Sequence, residues 1–224
     1  MRHPATWLIV LAAVAFGLLL IPVFQPGGQP SAPGTDLPWQ THRDAEGRVQ
    51  VFGLTLGRST LGDAVAKLGR RHAFGLFRAA DGTVTAEAYF KEAELGGLTA
   101  QLVLGLALDP ATAAGIVARA GDAAPQPSNT WQYTPAPADE PLLLGAVVRA
   151  ITYVPAARLD EALVRQRFGE PHERLVDPAR GSHWLYPERN LDLFLGSDGK
   201  AVLQYVLPAD YEKLRAAAET PGRR

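Results

Sequence analysis

The longest apolar stretch of the chain covers residues 5–24, where Trp7-Leu8-Ile9-Val10-Leu11 through Leu18-Leu19-Leu20-Ile21 carries no charge. About 20 helical residues at ~1.5 Å each match a hydrocarbon core of ~30 Å, so the stretch predicts a transmembrane helix. Arg2 precedes it and no Lys or Arg follows until Arg43, a bias that holds the N-terminus in the cytoplasm and sends the rest across the inner membrane. A cleaved signal peptide is the alternative. The residues that follow, Ile21-Pro22-Val23-Phe24-Gln25-Pro26, lack the small side chains that cleavage favours, so a retained signal anchor is the preferred reading. Residues 1–25 are therefore read as cytoplasmic tip and anchor, and residues 26–36, rich in Pro and Gly, as a flexible linker.

Beyond the linker two stretches read alike. Thr60-Leu61-Gly62-Asp63-Ala64-Val65-Ala66-Lys67-Leu68-Gly69 and Arg158-Leu159-Asp160-Glu161-Ala162-Leu163 through Phe168-Gly169 each place apolar residues at helical spacing before a glycine suited to a left-handed C-cap. Ser59 and Thr60 are candidate N-terminal caps, and Thr60 with Asp63 makes a capping box. A strand-like run precedes each helix, at residues 49–54 and 146–154. Hairpins follow, with Asp81-Gly82 and Asp198-Gly199 as their turns. Leu98, Ala100, Leu102, Leu104 and Leu106 alternate with other residues, as in a half-buried strand. Between the halves, residues 110–120 predict a helix of small residues with Pro at its first turn, and 130–133 a short strand. Residues 208–218 predict a final amphipathic helix.

These elements assemble into an α+β expectation: an N-terminal transmembrane helix followed by two similar helix-plus-antiparallel-sheet units. The units span residues 37–121 and 142–224, joined by a Pro/Ala-rich linker at 122–141.

Charge and composition narrow the function classes. Twenty-two Lys and Arg against 23 Asp and Glu give a formal net charge of −1, which argues against a nucleic-acid partner. The absence of cysteine excludes disulfides, thiolate metal sites, cysteine nucleophiles and a lipid-attachment cysteine.

The second half, residues 159–206, carries Phe168-Gly169-Glu170-Pro171, then Trp184-Leu185-Tyr186, then the Asp198-Gly199 hairpin. This order resembles the BamE-like (SmpA/OmlA) fold of envelope lipoproteins. The tandem arrangement is similar to the β-lactamase-inhibitor architecture, in which two copies share one curved sheet. The first half lacks the Gly-x-Pro and Trp-x-Tyr elements. The resemblance implies a fold and a periplasmic setting, and it transfers no site residue.

Candidate chemistry is sparse. Gly57-Arg58-Ser59-Thr60-Leu61 misses the last glycine of a Gly-x-Ser-x-Gly elbow, so Ser59 reads as a cap rather than a nucleophile. His72, His172 and His183 lack the spacing of a helical metal pair. Glu170, Asp177, Glu188 and Asp192 stand near Trp184 and Tyr186 without a spacing that defines a glycosidase pair. Arg70-Arg71 and Arg165 with Arg167 read as helix-end charges. Trp184 and Tyr186, two apart in a strand, share a face. They are expected either as core or, with Gln101 and Gln204, as a binding surface. No catalytic residue, metal site or cofactor is expected. The reading is a membrane-anchored, noncatalytic periplasmic module that binds or assembles an envelope protein or cell-wall component. A ligand or peptidoglycan sensor, and a hydrolase, are the alternatives.

Overall fold

The computed structural model describes residues 36–121, 123–126 and 129–219. Its first element is a three-stranded sheet of β1 (His42–Arg43), β2 (Val49–Val51) and β3 (Leu54–Thr55). Helix α1 (Leu61–Leu68) follows, then the meander β4 (Ala73–Arg78), β5 (Val84–Leu95) and β6 (Leu98–Ala107). Helix α2 (Pro110–Arg119) leads to the short strands β7 (Ala123–Gln126) and β8 (Thr130–Tyr133). A 3-10 turn and α3 (Glu140–Leu144) precede β9 (Val147–Pro155) and α4 (Glu161–Phe168). A second meander, β10 (Glu173–Asp177), β11 (Gly181–Tyr186), β12 (Leu191–Gly196) and β13 (Ala201–Val206), ends at α5 (Tyr211–Glu219).

All ten strands from β4 to β13 lie in one antiparallel sheet, ordered β10-β11-β12-β13-β9-β6-β5-β4-β8-β7. Strand β9 is the seam, pairing with β13 on one side and β6 on the other. Its sequence explains the position: Ala150, Ile151, Thr152, Tyr153 and Val154 are all buried, so the strand is covered on both faces and belongs inside a sheet.

The expected fold class is corrected by this architecture. The molecule is mostly antiparallel sheet, and no helix among the described residues is long and apolar enough to cross a membrane. The expected span at residues 5–24 lies outside the described residues. The strand-like runs before the two helices also take different roles. Residues 146–154 become the central β9, whereas residues 49–54 turn sharply at Phe52 (φ 55°) and Gly53 (φ 70°). That turn folds them into the β2–β3 hairpin of the small sheet. The two Asp-Gly hairpins are also not equivalent, since Asp81-Gly82 joins the first two strands of its meander and Asp198-Gly199 the last two. An Asp-Gly turn is local chemistry and carries no record of its place in a meander.

One face of the large sheet bears α1, α2, α3, α4 and the small sheet, packed into a continuous core with Trp184, Tyr186, Leu193, Tyr205, Tyr153 and Leu104 among its members. Phe52 stacks on Tyr153 with centroids 5.0 Å apart and meets Tyr205 edge-on at 5.9 Å. The small sheet is fastened to the second meander: Arg43 donates to the carbonyls of Pro187 and Glu188 and to Asn190 Oδ1, and Tyr205 donates to the Pro38 carbonyl. On the opposite face α5 packs Tyr211 and Leu214 against Ala150 and Val206.

Candidate functional site

Directly opposed residues of an antiparallel sheet share a face, so the register assigns side chains to the face opposite α1–α4. One row across it reads Asp192, Gln204, Thr152, Val103, Tyr89 on β12, β13, β9, β6 and β5. A neighbouring row reads Val206, Ala150, Gly105, Glu87, Gly75. Glu87, Thr152 and Asp192 are buried polar side chains of this face, all at most 3 % exposed.

Asp192 and Glu87 are the buried carboxyls that the described strands carry on this face, and they are solved differently. Asp192 Oδ2 lies 2.8 Å from His183 Nδ1, and the imidazole packs on Phe194 with centroids 4.8 Å apart. Burial pushes the Asp192 carboxyl up, while the hydrogen bond and charge of His183 pull it down. Among the described residues Glu87 has no such counter-ion. Burial pushes its carboxyl up to about 7 against a single lowering influence, the hydrogen bond that Tyr89 donates to Oε2. Glu87 Oε1 is buried without a hydrogen-bond partner, as is Thr85 Oγ1 two positions along the strand.

Glycines frame Glu87 on both neighbouring strands, Gly75 on β4 and Gly105 on β6. A Cβ on Gly75 would come within 3.0 Å of the Phe77 ring, and one on Gly105 would sit 3.4 Å from the Ala150 Cβ. The Phe77 ring therefore lies over bare backbone beside the carboxyl. Phe77 and Tyr89 meet edge-on, 6.4 Å apart at 72°. The outcome is a sealed cluster of a carboxyl, a hydroxyl and two aromatic rings, with the Phe77 ring filling the space over Gly75.

The residues singled out from sequence are scattered by the fold. Trp184 and Tyr186 are fully buried on the helix-bearing face, so they do not share a surface with Gln101 and Gln204, which lie on the opposite face and are half-buried. Trp184 Nε1 donates to Ser182 Oγ, and the Arg165 and Arg174 guanidinium groups each stand 4.9 Å from its ring. Tyr186 donates to the Gly169 carbonyl at the end of α4. Thr60 and Asp63 form a reciprocal capping box on α1. Ser59 instead accepts from the Thr55 amide, closing the preceding turn. Gly69 (φ 93°) and Gly169 (φ 82°) terminate α1 and α4.

His72 is packed between Phe74 and Phe90, and its burial lowers its pKa. His172 is exposed, and His183 is committed to Asp192. Among the described residues no three His, Asp or Glu side chains are grouped to hold a metal ion. Of the loop carboxyls, Glu170 pairs with Arg165 and Asp177 with Arg180 within its own hairpin, while the Glu188 side chain is exposed. Four strand spacings of ~4.8 Å separate β12 from β5, so Asp192 and Glu87 stand roughly 19 Å apart. That exceeds the ~5–9.5 Å window of carboxyl pairs in glycoside hydrolysis.

Glu87 and Thr85 escape a sequence reading. In Val84-Thr85-Ala86-Glu87-Ala88-Tyr89 a glutamate on an alternating strand reads as solvent-facing, and only the register shows that both cross-strand neighbours are glycine. The single available hint is the pair of isolated glycines, Gly75 and Gly105, within strand patterns, which mark a close approach or a bulge. No protein-family model, curated protein or solved structure matches this chain.

Proposed function

We propose that the body from residue 37 onward is a noncatalytic binding module of the bacterial envelope, held at the inner membrane through residues 5–24, with its sheet in the periplasm. The face opposite α1–α4 is its contact surface. The observation that carries this reading is the distribution of side chains on the ten-stranded sheet. One face is filled by four helices and a small sheet, while the other is packed by α5 over Ala150 and Val206 and presents Gln101, Gln204, Phe194, His183 and Tyr89 partly exposed. These part-exposed side chains of mixed polarity, held by a buried strip of the same face, suit protein or cell-wall recognition. The uncharged N-terminal run, the Pro/Gly linker and the resemblance to envelope lipoproteins support the location.

The test is capture from gently solubilised native membranes with the full-length protein, comparing wild type with Gln101→Lys and Gln204→Lys. Both substitutions place a charge on the proposed surface without emptying the core. A specific envelope partner retained by wild type, and lost by both variants at unchanged melting temperature, supports the reading. A partner retained equally by both variants removes this face from it. A reporter fused after Asp36 that works only in the cytoplasm, if active, would overturn the location.

A further inference from the structure

We propose that α5 is a releasable strap over the contact face, and that the strip it covers at Ala150 and Val206 receives an amphipathic helix of an envelope protein when the strap lifts. Of the side chains of α5 only Tyr211 and Leu214 are buried, and with Ala150 and Val206 they form an apolar cluster separate from the main core. The strands beneath are secured independently of it: β13 pairs with β12 and β9, and β9 with β13 and β6. An element held by so few apolar contacts opens at a fraction of the cost of global unfolding, and the sheet stays closed when it does.

Charge fastens the strap at its start. Asp210, buried just before α5, has Oδ2 2.6 Å from Arg149 Nη2 and Oδ1 3.2 Å from Lys213 Nζ. Arg149 stands where the register between β9 and β6 jumps from Ala150–Gly105 to Val148–Leu106, and a bulge of this kind re-aims a side chain. A second tie, Arg215 to Glu173 on β10 at 2.7 Å, joins two half-buried side chains, where salt screens the pair and its contribution is small. Ala150 and its cross-strand neighbour Gly105 keep the strip low, as the close approach of another backbone requires. The seated helix thus shows what the strip accepts: an aromatic and an aliphatic side chain three positions apart, and an acid before the first turn to meet Arg149. A partner helix of this pattern competes with α5 for one strip. The partner rests on the reading of this face as the contact surface, whereas release of the strap stands without it.

The experiment uses the full-length protein in detergent micelles, with amide hydrogen exchange read by mass spectrometry and a fluorescein-labelled peptide of residues 207–219 as the incoming helix. The expected result is exchange at residues 211–219 at least about tenfold faster than in β9 and β13, and faster still in Arg149→Gln with both strands unchanged. Full-length Tyr211→Ala/Leu214→Ala, in which the strap is lifted over an intact sheet, should bind the peptide saturably. Wild type should bind it at least about tenfold more weakly, because its own helix occupies the strip. A peptide carrying Asp210→Asn should bind the double variant less well than the native peptide does. Exchange of α5 at the rate of β9 and β13, or loss of protection in both strands in the double variant, would make α5 a fixed part of the core and overturn the strap. A double variant with both strands protected that fails to bind the peptide, or that binds it no better than wild type, overturns the strip as a helix site. Failure of the contact-surface reading shows elsewhere, as partner capture unaffected by Gln101→Lys and Gln204→Lys, and leaves these measurements unchanged.

Discussion

Glu87 makes the stability of this protein depend on pH in an unusual direction. A carboxyl near 4.5 in the unfolded chain and about 7 when folded binds more protons in the native state between those values. Its contribution is intact below about 4.5 and is lost progressively as pH rises to about 7. The full cost above that range is about 3 kcal/mol. Glu87→Gln should therefore raise the melting temperature at pH 8 and leave it nearly unchanged at pH 4. Equal stabilisation at both pH values, read by calorimetry, would show that the carboxyl is not the cause. Nothing in the local sequence announces this, because a glutamate between two alanines reads as a surface residue until the strands on either side are known.

Elements are more legible than their assembly. The capped helices α1 and α4, the Asp-Gly hairpins, the strand at 130–133 and the helix after Asp109 follow from periodicity and turn chemistry, which act within a few residues. The glycines ending α1 and α4 show where local reading stops. Both have positive φ, but ψ is 168° at Gly69 and −172° at Gly169, so they adopt an extended conformation almost confined to glycine rather than the usual left-handed cap. A Cβ added at either position would meet no heavy atom within 4 Å, so the cost of substitution is backbone strain alone. Gly69→Val and Gly169→Val should each lower stability by about 1–3 kcal/mol. Urea unfolding measures this, and an unchanged midpoint in both would mean that the helix ends relax freely.

At the scale of the molecule, no local pattern of residues predicts the merging of two helix-and-meander halves into a single sheet, and only the tandem resemblance implied a shared one. Whether residues 146–154 start a second sheet or close a first depends on which edges remain unpaired after folding, and that is a long-range property. The two-sided burial of β9 does leave a trace in Val147-Val148-Arg149-Ala150-Ile151-Thr152-Tyr153-Val154, which is nearly continuous rather than alternating. The candidate surface is half legible: Gln101 and Gln204 fall on one face, while the Trp184 and Tyr186 pattern belongs to the core. A strand with one buried face looks the same whichever face a partner uses.

The fastening of the small N-terminal sheet has a kinetic consequence. Arg43 reaches Pro187 and Glu188 across 144 and 145 positions of the chain, and Tyr205 reaches Pro38 across 167. During synthesis these particular contacts cannot form until nearly the last segment has emerged. Closing such loops comes late and slowly, in the range of milliseconds to seconds that non-local β topologies show. The chain should thus acquire its structure in one late cooperative step, after emergence, rather than half by half. Residues 37–141 and 142–224 produced separately should each lack the dispersed amide spectrum of the whole and regain it on mixing. If the first fragment were well dispersed alone, the early segment would have found a partner within its own half.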